Sequence, residues 1–200
     1  MLDPHLRAST ALRGLRVGLL GGSFNPAHDG HLAMSLFALR RLQLDQVWWI
    51  VSPQNPLKPT KDMVPFSARL EKTRKFVHSR RIVVTDIEQR LGTRYTVDTL
   101  RKLQKNFPYT DFIWLMGADN LKQIPRWKCW PEIFQRVPVA IFRRPGSTVG
   151  RGLGKPAQRF NRFWRPTSEA GDLVMAPAPA WMILDNPLNN LSSTELRRKG

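Results

Sequence analysis

Residues 16–31 read RVGLLGGSFNPAHDGH, and the rest of the chain is best understood outward from them. The apolar run Val17 to Leu20 has the look of a short strand of the buried, parallel type, ending in the pair Gly21-Gly22. Directly after it, HLAMSLFALRRLQL places Leu32, Leu36, Leu39 and Leu42 at helical spacing, which predicts a helix from about Gly30 to Leu42. A strand, a glycine turn and a helix in that order put the backbone N–H groups and positive dipole end of the helix at the mouth of the turn, where an anion is stabilised. Glycine there permits a tight turn and a close backbone approach to a ligand. His28 and His31 stand three apart at the helix start and can face one side. An imidazole N–H is a compact donor for the charge on a transferring phosphoryl group. Two plainer readings stand beside this one, with His28 a turn residue and His31 a helix cap. A metal site lacks a third ligand at suitable spacing beyond Asp29. The stretch is neither a G-x-x-x-x-G-K-[ST] phosphate loop nor a G-x-G-x-x-G fingerprint.

The same alternation continues downstream. QVWWIVS (46–52) reads as a second strand, RIVVTDIE (81–88) as a third, and TDFIWLMGADN (110–120) as a strand meeting a glycine before a helix. VPVAIFRRPG (137–146) and WMILDN (181–186) supply two more strands. FSARLEKTRKFVHS (66–79) and TVDTLRKLQKNF (96–107) are helical in pattern, and SSTELRRKG (192–200) starts another helix. PQNPLKPTKDMVP (53–65), with four prolines and two lysines, is an exposed loop. Residues 147–179 read as a basic, irregular excursion, and residues 1–15 as an N-terminal extension to a domain spanning 16–200. The expected fold is α/β: a Rossmann-like, doubly wound parallel sheet in a single domain, with ligands outside the carboxyl ends of the strands. Three segments then converge on one rim: the loop from Gly21 to His31, Gly117 to Asn120, and Ser192 to Arg197.

Bulk composition narrows the partners. Lys and Arg number 32 against 15 Asp and Glu, a formal net charge of +17, which draws an anionic partner. The single cysteine, Cys129, excludes an internal disulfide, and it reads as a half-buried apolar residue beside Trp127 and Trp130. No run of apolar residues is long enough to span a membrane, and the N-terminus lacks the apolar centre of a secretory signal. A cytoplasmic protein with no membrane partner is expected.

Two motifs carry a resemblance. GGSFNPAHDGH is similar to the G-x-F-x-P-x-H-x-G-H signature of the nucleotidyltransferase superfamily, and LSSTELR resembles its second signature, I-S-S-T-x-[IL]-R. They occur in the superfamily's order. Three further stretches resemble the nicotinate-nucleotide adenylyltransferases: RYTVDTL, GADNLKQIPRWKCWPEI, and the proline-rich basic loop SPQNPLKP. The resemblance implies an adenylyltransferase joining nicotinate mononucleotide to ATP, with release of pyrophosphate and Mg²⁺ bridging the ATP phosphates. By it, His28, His31 and Arg197 are catalytic. ATP is held by Gly21, Gly22, Ser23, Phe24, His28, His31, Lys58, Gly117, Asp119, Ser193, Thr194 and Arg197. The nicotinate end meets the backbone at Tyr95 and Thr96 and stacks on Trp127, which suits a flat, electron-poor ring and a carboxylate. The chain departs from many relatives in the basic loop, where Leu57 stands in place of a histidine.

Other readings stay open at this stage. Ser192 with Glu195 is also an ordinary capping box. Trp127 could be core, and YTVDTL a helix start capped by threonine. A different acceptor, such as phosphopantetheine or nicotinamide mononucleotide, would keep both histidines and leave Trp127 and Tyr95–Thr96 without a role. A nucleic-acid binder would use Arg143–Arg144, Arg159–Arg165 and Arg197–Lys199 with Phe160, Phe163 and Trp164 as base-stacking aromatics. A solvated basic face near a triphosphate is the preferred account of that charge, so a nucleic-acid partner is not expected.

Overall fold

In the computed structural model, which describes residues 12–54, 63–143 and 154–185, every strand pairs in parallel with its neighbours. The strands are β1 (Arg16–Gly22), β2 (Gln46–Val51), β3 (Ile82–Thr85), β4 (Asp111–Gly117), β5 (Val139–Arg143) and β6 (Trp181–Asp185), in the spatial order β3-β2-β1-β4-β5-β6. This is the α/β doubly wound sheet expected from the alternation of elements.

Side-chain alternation along the strands divides the core in two. Val17 and Leu19 of β1, Trp48 and Ile50 of β2, and Phe112, Trp114 and Met116 of β4 enter one cluster. Leu20, Val47, Trp49, Val51, Ile113 and Leu115 enter the other. A strand buried on both faces must be apolar throughout, which is why VWWIV and FIWLM carry no alternating polar residue. Helices α3 (Ile87–Leu91), α4 (Thr96–Asn106), α5 (Ala118–Gln123), α6 (Trp130–Arg136) and α7 (Lys155–Arg159) supply buried residues to the first cluster. Helices α1 (Asp29–Arg41) and α2 (Phe66–Phe76) supply the second.

Four sequence expectations need correction. The third strand ends at Thr85 and not at Glu88, because the Thr85 hydroxyl accepts the Ile87 N–H (3.1 Å) and turns the chain into α3. Residues 12–15 do not stand outside the domain: Leu12 is buried, and the Gly14 N–H donates to the Tyr109 carbonyl. The described part of the basic excursion, 154–179, is a set of short helical turns, α7, Asn161–Phe163 and Thr167–Met175. Its Phe160 stacks on Phe134, ring centroids 4.7 Å apart, and Ala170, Leu173 and Val174 are buried against the second face. Nor is Cys129 half-buried; it is exposed, with φ of +45°, and caps α6.

Arg69 of α2 is the most deeply buried cation among the described residues, 2 % exposed, and burial lowers its pKa. It donates to three carbonyls, those of Ser23 (2.5 Å), Pro53 (2.9 Å) and Val64 (2.9 Å), tying the ends of β1 and β2 to the start of α2. Arg69→Met would strand those buried acceptors and is expected to lower unfolding stability by about 3 kcal/mol. Denaturant titration followed by circular dichroism measures it, and a loss under 1 kcal/mol would mean that water replaces the guanidinium.

Candidate active site

In this strand order β1 and β4 lie side by side at the centre, where successive connections turn to opposite edges of the sheet, the position at which sheets of this kind hold a ligand crevice beyond the carboxyl ends of the strands. Gly21 and Gly22 close β1, and Gly117 closes β4 and caps α5.

At that position α1 begins in an unusual way. His28 is its N-cap, in extended conformation, and His31 is its third residue. The Gly30 N–H donates to His28 Nδ1 (3.1 Å) while the His28 N–H donates to His31 Nδ1 (3.3 Å), so the two imidazoles form a reciprocal capping box. Their rings lie 3.8 Å apart. A nitrogen that accepts a backbone N–H carries no proton, so in each neutral ring the hydrogen sits on Nε2. The plainer expectation that His31 caps the helix is met, while His28, expected as a turn residue, is the N-cap itself.

Phe24 and Ser23 support this pair from within. The Phe24 ring is buried between His31 (4.9 Å) and Trp49 (4.9 Å, nearly coplanar), and Trp49 Nε1 donates to Ser35 Oγ, which donates to the His31 carbonyl. Phe24 has φ of +44°, a strained value for a side chain of its size, held by that stacking. Ser23 is buried with its carbonyl on Arg69. The glycines at the end of β1 are also required by the protein's own packing. A Cβ on Gly21 would lie 2.7 Å from the Trp114 ring, and one on Gly22 3.1 Å from Phe24. The room they leave is filled by the protein's own aromatics.

Trp114 of β4 joins this end of the site to the next. Its ring meets Trp127 edge to face at 6.4 Å. Lys128 then lies 4.8 Å from the Tyr95 ring centroid and 2.9 Å from Asp98 Oδ2. Asp98 also holds Arg101, and Arg101 pairs with Glu132, whose carboxyl that bond and Arg136 hold down at about 2. The chain of charges ties α4 to α6 and so brings the turn at Tyr95–Thr96 beside the turn at Trp127. Tyr95, not a threonine, is the N-cap of α4, and its side chain makes no capping bond. Both Tyr95 and Trp127 are partly exposed, whereas Trp114 is buried.

Glu88, which the sequence did not single out, is buried. Thr99 Oγ1 donates to its Oε1 (3.2 Å), Ser52 hydrogen-bonds its carboxyl, and burial outweighs both to push its pKa up to about 7. Its local signal was weak: a lone glutamate in IEQRL looks like a solvated helix face.

Asp119 is exposed, with its carboxylate folded back toward Gly117. Lys58, Ser193, Thr194 and Arg197 lie outside the described residues. Of the aromatics in the basic stretch, Phe160 is buried, while Phe163 and Trp164 pack against the first core cluster, so they do not form an open stacking surface. No helix among the described residues is long and apolar enough to cross a membrane.

Comparison with known proteins agrees with this fold. The cytidylyltransferase-like family matches residues 19–199. A protein of Parvibaculum lavamentivorans named "Probable nicotinate-nucleotide adenylyltransferase" is 50% identical over 187 residues, covering 94% of this chain and 93% of its own. One of the same name from Gluconobacter oxydans is 49% identical, covering 93% and 95%. Among solved structures, the Plasmodium falciparum nicotinic acid mononucleotide adenylyltransferase complexed with NaAD superposes with a TM-score of 0.68 at 16% identity, over 91% of this chain and 82% of that one. At that identity the likeness is one of fold.

The raised carboxyl of Glu88 has a measurable consequence. Its proton is bound more tightly in the folded chain, with a pKa of about 7 against the ordinary glutamate value of 4.5. The stabilisation is therefore whole below pH 4.5 and is lost as pH rises through 7. The difference corresponds to about 3 kcal/mol. Glu88→Gln, which cannot ionise, is expected to unfold at higher denaturant than the parent at pH 8 and at the same denaturant at pH 4.5. A gap of equal size at both pH values would refute the assignment.

Proposed function

Because the chain belongs to the cytidylyltransferase-like family, we propose that it transfers the adenylyl group of ATP to nicotinate mononucleotide, giving nicotinate adenine dinucleotide and pyrophosphate in NAD biosynthesis. Two relatives of about 50% identity, aligned over nearly their whole length, bear the name of that enzyme. The observation that carries the mechanism is the reciprocal histidine cap at the start of α1.

An acceptor phosphate oxygen attacks the α-phosphorus of ATP, a new P–O bond forms, and the bond to the bridging oxygen breaks with pyrophosphate leaving. Catalysis of such a step is mainly positioning and stabilisation of charge on the transferring group. His28 and His31, each with its proton on Nε2, act as donors to phosphoryl oxygens, and the dipole of α1 adds to their effect. The cap that fixes their tautomer also fixes their place, so little reorganisation is needed as charge develops. Gly21, Gly22, Gly117 and Asp119 border the ATP side. Lys58, Ser193, Thr194 and Arg197 complete it by the motifs in which they stand, with Arg197 as the guanidinium on the leaving phosphates.

At the acceptor side Trp127 receives the pyridine ring, and the first N–H groups of α4, at Tyr95 and Thr96, receive its carboxylate. The missing side-chain cap supports this, since a ligand can supply what the cap does not. The neutral amide of nicotinamide mononucleotide would meet the same donors less well. Mg²⁺ would come to the site with the triphosphate and would supply charge stabilisation there. The proposed place of action is the cytoplasm.

Pyrophosphate release from ATP and Mg²⁺ tests the assignment with nicotinate mononucleotide, nicotinamide mononucleotide and phosphopantetheine offered separately. Release with the first alone is expected, and release with either of the others alone would discard the roles of Tyr95, Thr96 and Trp127. His31→Ala should lower turnover by about 10²- to 10³-fold, as loss of one preorganised donor does, and lower stability by only about 1 kcal/mol through the lost cap. Near-normal turnover would remove the histidine mechanism. Trp127→Ala should raise KM for the pyridine nucleotide more than for ATP, and the opposite order would sink the stacking role.

A further inference from the structure

The reaction as described has no task for Glu88, yet few side chains are placed at greater expense. It is 6 % exposed, and no cation is among the causes that set its pKa. A buried carboxyl without a cation destabilises the fold when it ionises, so an apolar residue would make the stronger core. What Glu88 does instead is join three elements. Ser52, the first residue after β2, and Thr99 of α4 both hydrogen-bond its carboxyl, while its own backbone carbonyl accepts from the Thr93 N–H (2.9 Å) and hydroxyl (3.4 Å). The Thr93 and Thr99 hydroxyls are 2.9 Å apart.

Thr99 also lies 3.2 Å from the Tyr95 carbonyl. A hydroxyl has one proton to donate, so Thr99 must choose between Tyr95 and Glu88. An ionised Glu88 wins it, because a charged acceptor makes the stronger bond. The Tyr95 carbonyl is then left to the Asp98 and Thr99 N–H groups, both at 3.0 Å, which is the regular opening of α4. The Thr93 hydroxyl can close the relay by giving its proton to Thr99 (2.9 Å) in place of the longer contact to the Glu88 carbonyl (3.4 Å), which keeps the Thr93 N–H. The segment from Thr93 to Thr99, with Tyr95 and Thr96 inside it, is thereby held at both ends.

We propose that Glu88 is a positioning residue of the acceptor subsite: through Ser52 and Thr99 it pins the Tyr95–Thr96 helix start to the rim of the sheet, and so sets affinity for the acceptor nucleotide and not for ATP. The inference rests on the reading that this helix start meets the acceptor's carboxylate. The burial that raises the carboxyl is the cost of the arrangement, and a rigid carboxylate-binding turn is its return. A one-ångström displacement of such a turn would weaken binding without touching the phosphates at α1.

Initial rates of pyrophosphate release at pH 8 test this on the full chain, with each substrate varied at saturating concentration of the other. For Glu88→Ala and for Thr99→Val, KM for nicotinate mononucleotide is expected to rise about tenfold, with KM for ATP within about twofold of the parent and kcat changed less than the acceptor KM. Glu88→Gln should restore most of the loss, because its amide oxygen still accepts the Thr99 proton. An acceptor KM within twofold of the parent in a folded variant, an equal rise in both KM values, or a Gln variant no better than Ala would overturn the proposal. Should Glu88→Ala not fold, Thr99→Val decides alone, since it keeps the shape of the side chain. Trp127→Ala separates the two levels. If it raises the acceptor KM while the Glu88 and Thr99 variants do not, only this inference fails; if it leaves the acceptor KM unchanged, the subsite reading fails and the inference with it.

Discussion

The start of α1 is closed by its own histidines, and much of the rim follows from that choice. A helix N-terminus leaves four N–H groups to be satisfied, and serine, threonine or aspartate is the usual means. Here His28 and His31 do the work with Nδ1. The imidazole is bulkier than a hydroxyl, and its ring must be braced. Phe24 lies against one ring, Trp49 lies behind Phe24, and Ser35 links Trp49 to the helix. The apolar residues after β1 and within β2 are thus part of the same construction as the two donors. What the cap contributes to stability and what the proposed reaction asks of the histidines use different nitrogens of the same rings, so the two demands do not compete.

Around that cap the protein buries polar groups where an apolar core would be firmer. Arg69 spends its guanidinium on three backbone carbonyls at the ends of β1 and β2, and Glu88 spends its carboxyl on hydroxyls at the ends of β2 and the start of α4. Both lie at the carboxyl edge of the sheet. Loops there run out of the regular ladder, and their carbonyls and hydroxyls need partners that fixed side chains supply. The aromatic series Trp114, Trp127 and the Lys128–Tyr95 contact then carries this order across to the start of α4.

The sequence was most legible where one period served one purpose. VWWIV and FIWLM are apolar at every position because parallel strands are covered on both faces, and the helical spacing of Leu32, Leu39 and Leu42 points to the same core. It was less legible where short turns replace long elements. Residues 154–179 have too little periodicity to mark a helix, since α7 and the 3₁₀ turns that follow are each only one or two turns long. Their burial comes from contacts such as Phe160 on Phe134, which join residues far apart in the chain. Cys129 misled for a similar reason: two flanking tryptophans suggested burial, but the backbone at Cys129 turns left-handed and sends it outward.

By itself the sequence determined the family, the sheet and the positions of the two histidines at the start of α1, because motifs and strand–helix alternation are properties of neighbouring residues. It also marked Tyr95, Thr96 and Trp127 as a group, through the motifs that contain them. Only the tertiary structure decided what surrounds those residues. The space at Gly21 belongs to Trp114, the reciprocal cap leaves the imidazole protons on Nε2, and Glu88 lies buried with its carboxyl on Thr99. Each of these depends on side chains brought together from separate elements, and on the desolvation that follows when they meet. No local pattern of residues encodes that burial; packing does.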